Sequence, residues 1–190
     1  MISDFVRFCG ELFPSISPYT ATRTLDAIEQ FRLNGKTVKY LMMKPFEIMC
    51  QGDIFENIPF LRYDDNGNIK SANLKAQILT NTCDCQRDEY LTFAAMLPIS
   101  DYSQGQFDAI KRNVTFRLLY MPDTYVKEYV IDFSLLTTIP RTLINQAIEI
   151  GKINRLASLS QIGFHLFIAK LTVYFMRPED AGVNDSRSNL

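Results

Sequence analysis

The apolar positions of this chain change their rhythm twice. Up to about residue 35 they recur at helical spacing, from 37 to 133 they come in short runs broken by proline, glycine and asparagine, and beyond 140 the helical spacing returns. In the first segment Phe5, Val6, Phe8, Cys9, Leu12 and Phe13 share one side of a predicted helix over 3–13, with Ser3 as its cap. Pro14 and Pro18 then break the chain ahead of a second helix ending near Leu33, lined by Ala21, Leu25 and Ile28 and followed by Gly35.

The middle segment predicts strands. Thr37 to Met43 is β-branched, aromatic and apolar up to Pro45, and 53–55 and 58–63 add further pieces. Asn66-Gly67 supplies the positive φ of a tight turn, after which Ile69 onward returns antiparallel. Leu74 to Thr80 and Tyr90 to Ile99 are the strongest central strands. A short helix follows from Ser103 to about Arg112, then a hairpin of 115–120 and 125–133 around Met121-Pro122-Asp123-Thr124. The last segment predicts helices over 141–150 and from about Ser158 to Met176, the second so widely apolar that it must be buried in the core or against a partner. Arg177-Pro178 ends it, and AGVNDSRSNL reads as a loose tail. This order predicts an α+β fold: a strongly bent antiparallel sheet or small SH3-like barrel over 37–133, with a helical preface over 1–35 and helices over 140–176. Residues 1–178 are expected to form a single domain, followed by a flexible tail over 179–190.

Composition narrows the function classes. With 47% hydrophobic and 22% charged residues the chain has the balance of an ordinary globular protein. Lys170 interrupts the most apolar stretch, 162–176, so no membrane span is expected. A net charge of -1 provides no whole-molecule field toward phosphate backbones. Cysteines at 9, 50, 83 and 85 are too unevenly spaced for a disulfide framework, and the first residues lack the pattern of a secretory signal, so the expected location is the cytoplasm.

The densest group of reactive side chains is Thr80, Thr82, Cys83, Asp84 and Cys85, predicted at a strand end. Arg87 would favour a thiolate there, but no base stands beside it, and His165, the sole histidine, lies on the apolar helix. Packing is the ordinary role for these cysteines. A Cys-x-Cys pair with remote Cys9, Cys50 and His165 has the wrong spacing for zinc, and neither a phosphate-binding glycine loop nor HExxH occurs; no cofactor or metal is expected. Asp53 and Asp84, next to apolar strands, are the carboxylates most exposed to a shift in ionisation.

The succession GDI, an IPF strand, a glycine turn, LKAQILTNTCD and FAAMLPIS resembles the small-barrel proteins of the PemK/MazF-like group of bacterial toxin endoribonucleases. The matching positions are Gly52, Lys75 before an apolar strand that ends in Thr80, and Pro98-Ile99-Ser100. Lys75 stands where that resemblance implies an arginine, and Ser100 where it implies a threonine. A second likeness is to uncharacterised bacterial proteins with a Ser/Thr-x-x-Cys-Asp motif around mobile or defence-type loci, carried by Thr80, Cys83, Asp84, Arg177 and Pro178. With the near-neutral charge, the absence of a convincing catalytic set and a last helix apolar enough to seat a partner, the expected function is a binding or assembly component of such a system, with a protein partner or a homo-oligomer. The alternative the resemblances imply is an endoribonuclease acting on RNA, with Lys75 stabilising phosphate charge, Ser100 positioning, and Cys83 or Asp84 near the cleft.

Overall fold

A computed structural model describes residues 18–34, 38–176 and 180–188. Its elements are α1 (Pro18–Asn34), β1 (Leu41–Met42), β2 (Ile54–Tyr63), β3 (Ile69–Ile78), β4 (Tyr90–Pro98), α2 (Phe107–Lys111), β5 (Leu118–Leu119), β6 (Tyr129–Pro140), α3 (Arg141–Glu149), β7 (Asn154–Leu159), α4 (Gln161–Met176) and α5 (Ala181–Ser188). The seven strands form one antiparallel sheet in the order β1-β7-β2-β3-β4-β6-β5, so the α+β class and the bent antiparallel sheet are as expected. The helix predicted over 3–13 and Arg177-Pro178 lie outside the described residues.

Local chemistry explains the hairpin that starts the sheet. Asp64 Oδ1 accepts the amides of Asn66 (3.0 Å) and Asn68 (2.9 Å), and Gly67 takes φ +79°, which reverses β2 into β3. Period-two alternation then sends side chains to two cores. Ile54, Ala94, Met96, Leu119, Ile131 and Phe133 pack with Leu166 and Phe167 of α4 on one face. Phe55, Ala76, Ile78, Phe93 and Ala95 pack on the other with Ile144 of α3, and the Phe55 and Phe93 rings meet edge to face at 5.4 Å. α4 is apolar almost all round because the sheet covers one side and α1 another. It is a core helix, so its apolar circumference is not a docking face.

The sheet curls until its ends approach each other. Asp123, buried between β5 and β6, accepts the amides of Tyr40 (3.1 Å) and Leu41 (3.2 Å) at the β1 edge, so one carboxylate replaces strand pairing across the gap.

Several strand limits differ from the sequence reading. Only Leu41–Met42 of the predicted 37–43 strand pairs, because the chain leaves the sheet at Met43 to form a loop up to Asp53. The 115–120 arm is reduced to Leu118–Leu119, while its partner runs on past 133 to Pro140. Asn154–Leu159 is a strand, although the sequence pattern places no element over 151–157 and starts the last helix near Ser158: Leu-Ala-Ser-Leu has little β preference of its own and is held by β2 and β1 on either side.

Candidate functional site

The residues singled out from sequence fall at two ends of β4. Lys75 lies opposite Met96 in the β3–β4 register, with its Nζ 4.3 Å from the centre of the Tyr129 ring. Ser100 is exposed in the short 3-10 turn Ile99–Asp101 that follows β4. On the face of β4 and β6 opposite to Lys75, buried Asp132 accepts from the Tyr102 hydroxyl (3.2 Å) and the Ser134 hydroxyl (2.6 Å), and Arg117 Nε stands 3.8 Å away. Cys83 and Asp84 instead sit in the connection between β3 and β4, beyond the opposite end. Thr80, whose carbonyl meets Cys85 Sγ and whose hydroxyl accepts the Thr92 amide, is five residues from Lys75, and Thr92 is eight from Ser100, or roughly 17 and 26 Å along the strands at about 3.3 Å per residue. Lys75 and Ser100 are thus neighbours of one end, and Cys83 and Asp84 of the other.

At the Cys83 end the structure builds a polar centre around Asp53, which is fully buried at the start of β2. Its Oδ2 accepts the Cys50 amide (2.9 Å) and Arg155 Nη1 of β7 (3.3 Å). The same guanidinium donates to the carbonyls of Ile48 (2.7 Å), Glu47 (3.5 Å) and Phe46, and the Phe46 amide donates to the buried Ser158 hydroxyl (3.1 Å). From the other side, Thr82 Oγ1 accepts the Gln51 amide (3.0 Å), and Gln51 Nε2 reaches the Leu79 carbonyl (2.7 Å). Arg155, Asp53 and Thr82 therefore clamp the 43–53 loop between β7 and the β3–β4 connection. Gly52 is required in this clamp: it takes φ +88°, and a Cβ there would run into Leu159.

Burial pushes the Asp53 carboxyl above its ordinary range, and the Ser158 hydroxyl, the Cys50 amide and Arg155 pull in the opposite direction. Asp53 Oδ1 has no hydrogen bond of good geometry, although the Ser158 hydroxyl lies close enough to favour the ionised form. The nearby thiols are raised as well. Burial, then the charge of Asp53, lifts Cys50; burial, then Asp53, Cys50 and Asp84, lifts Cys85 to about 12. Cys85 is a thiol at neutral pH, and its Sγ lies 3.4 Å from the Thr80 carbonyl in the core, in keeping with a packing role. Cys83 is exposed.

Beside the clamp opens a cavity of about 300 Å³. Phe46, Leu159 and Phe164 give it apolar walls, and Gln51, Thr82 and Ser160 supply polar groups. Gly163 allows α4 to sit against this region, because a Cβ at that position would overlap the Tyr40 carbonyl. His165, two residues further along the helix, is buried, and burial followed by the charge of Arg23 in α1 lowers its pKa. Among the described residues no three His, Cys, Asp or Glu side chains gather as a metal site.

The sequence pointed to Thr82 and Asp53 but not to Arg155, Ser158 or Gln51. The available signal was an arginine between Ile153 and Leu156, in a segment not read as a strand.

No family model matches this chain, and no curated protein matches it. Among solved structures it is similar to the MazE-MazF complex (Form-II) from Deinococcus radiodurans, with 8% sequence identity and a TM-score of 0.40 over 69% of this chain and 99% of that one. A likeness of that size says nothing about what this chain binds or cleaves. Among the described residues no helix is long and apolar enough to cross a membrane.

Proposed function

We propose that this protein is a binding or assembly component of a bacterial mobile-element or defence-type system, and that the cavity beside the 43–53 loop receives an apolar side chain of a protein partner. The observation that supports this is the exposure of Met42, Met43, Phe46 and Ile48, at 39 to 54%, on one short stretch whose backbone is clamped by Arg155. Large apolar side chains presented on a fixed backbone next to a cavity lose little conformational freedom when a partner covers them. The bacterial setting rests on the sequence resemblance alone.

Peptides selected by display on the folded protein, with Phe46→Asp as the counter-target, test this reading. Sequences with an apolar anchor that bind at least about tenfold, or about 1.4 kcal/mol, more tightly to the wild type are expected. No enrichment over the Phe46→Asp protein removes its support.

A second reading, an endoribonuclease, is favoured by exposed Ser100 with Tyr102 and Arg117, which meet Asp132 close by, at one end of β4, where cationic and hydroxyl groups would meet a phosphate; Lys75 stands on the other face of the sheet, beside Tyr129. It predicts that a mixed RNA pool gains new ends with the wild type and not with Lys75→Ala/Ser100→Ala. New ends that persist in the variant, or none with either protein, would sink it.

A further inference from the structure

The β2–β3 hairpin is two structures end to end. At its base, Ile54, Phe55 and Glu56 pair with β7, and Lys75 to Ile78 pair with β4, so both strands are interior. A bulge follows, with a register shift between Phe55 and Ile58 and Asn57 at φ +65°, and pairing to β7 stops. From Ile58/Leu74 out to Tyr63/Ile69 the two strands pair only with each other. At about 3.4 Å per residue this is a ribbon of roughly 17–20 Å leaving the sheet.

The register assigns its faces. Phe60, opposite Ala72, turns back into the core and is buried, and the same face carries Arg62 opposite Lys70 toward the tip. On the other face stand Pro59, Leu61, Tyr63, Ile69, Ser71 and Asn73, every one of them exposed. Leu61 is 69%, Tyr63 72% and Ile69 65% exposed. A two-stranded ribbon needs packing beyond its own pairing to be stable in water; Ile58 and Phe60 supply it on one face, while Leu61, Tyr63 and Ile69 leave the other exposed.

We infer that this exposed face is covered by a second copy of this chain, packed ribbon on ribbon about a two-fold axis, with Leu61, Tyr63 and Ile69 of each copy facing those of the other. Charge favours this occupant over an acidic or basic partner. The exposed face has no ionisable side chain apart from the Tyr63 phenol, all four charges between 57 and 74 (Arg62, Asp64, Asp65 and Lys70) lie off it or in the turn, and they sum to zero. The whole chain carries only -1, so two copies meet without long-range repulsion. A two-fold contact also requires self-complementarity, which an uncharged ladder of Leu, Tyr and Ile provides. The patch is smaller than the roughly 800 Å² per partner of a standard interface, so the dimer is expected to dissociate on dilution. The face lies at the far end of the hairpin from the cavity, and a dimer would form there whether or not the cavity takes a partner.

Sedimentation velocity on the full chain, from low-micromolar to near-millimolar protein, is the test. A concentration-dependent dimer is expected for the wild type, lost in Ile69→Lys and kept in Arg62→Glu, which changes the opposite face. Both positions are exposed, and circular dichroism verifies that each variant is folded. With Cys83→Ser as background, Tyr63→Cys should cross-link to its twin under a short bismaleimide. A wild type that stays monomeric throughout, a dimer indifferent to Ile69→Lys, or one lost equally in Arg62→Glu overturns the inference.

Discussion

Arg155 and Lys170 are both basic side chains largely enclosed by the protein, and the two regions that hold them do so in opposite ways. Arg155 fans its donors over the carbonyls of the 43–53 loop and the Asp53 carboxylate. Lys170, on the inner side of α4, is 6% exposed and donates to the Asn113 carbonyl at 2.6 Å, its one hydrogen-bond partner among the described residues. Burial alone brings its pKa down to about 7. A planar guanidinium can satisfy several fixed acceptors at once and so organises a loop. An ammonium with a single carbonyl bears its desolvation almost uncompensated. The clamp holds a loop in position, whereas the α4 interior carries a charge at a cost.

The largest expected effect lies in the clamp. Arg155→Met removes the donors of three loop carbonyls and leaves Asp53 buried without its cation, which should cost about 3–5 kcal/mol in urea unfolding. Adding Asp53→Asn should return part of that loss; a near-neutral Arg155→Met would show that the loop is held by something else.

Lys170→Met should act in the other direction. The folded pKa of about 7 lies below the ordinary 10.5, so the unfolded chain binds the extra proton between those values. Stability therefore falls as pH drops from 10.5 to about 7, and the cost is fully present below that. Removing the amine should raise stability by at least about 2 kcal/mol at pH 6, since each tenfold loss of proton affinity on folding costs about 1.4 kcal/mol, and by little at pH 10. A gain of equal size at both pH values would break the contrast with Arg155.

Acid sharpens the comparison more gently. His165 has a lowered pKa, so its region loses stability as pH falls below 6.5. Asp53 has a raised pKa, so its region gains stability as pH falls through the folded value toward 3.8. His165→Gln should flatten the first limb of a melting-temperature profile and leave the second; the reverse outcome would mean that His165 is not the group behind the first limb.

The smallest effect is a rate. Thiol labelling at neutral pH should reach exposed Cys83 first and buried Cys85 last. In Arg155→Met, the labelling of Cys50 should rise several-fold as the loop loosens. An unchanged rate would mean that the loop keeps its place without the guanidinium.

What could be read in advance follows physical range. Asn66-Gly67, the alternation in β2 and β3, and the apolar stretches of β4 and α4 are set by neighbours a few residues away, and they appear where the pattern places them. The clamp could not be read that way: Arg155 meets the carbonyls of residues 46 to 48 more than a hundred positions earlier, and no local preference encodes such a contact.

By itself, then, the sequence determined the fold class and most of the elements, because turn chemistry and side-chain periodicity act within one strand or one helix. Only the tertiary structure decided that 154–159 is a strand, that α4 is a core helix, that Cys83 and Asp84 lie beyond the end of β4 opposite to Ser100, and that Leu61, Tyr63 and Ile69 share an exposed face. The physical reason is that partner and distance arise when a sheet curls and closes, with Asp123 joining its ends, and that closure depends on the sum of many long-range contacts.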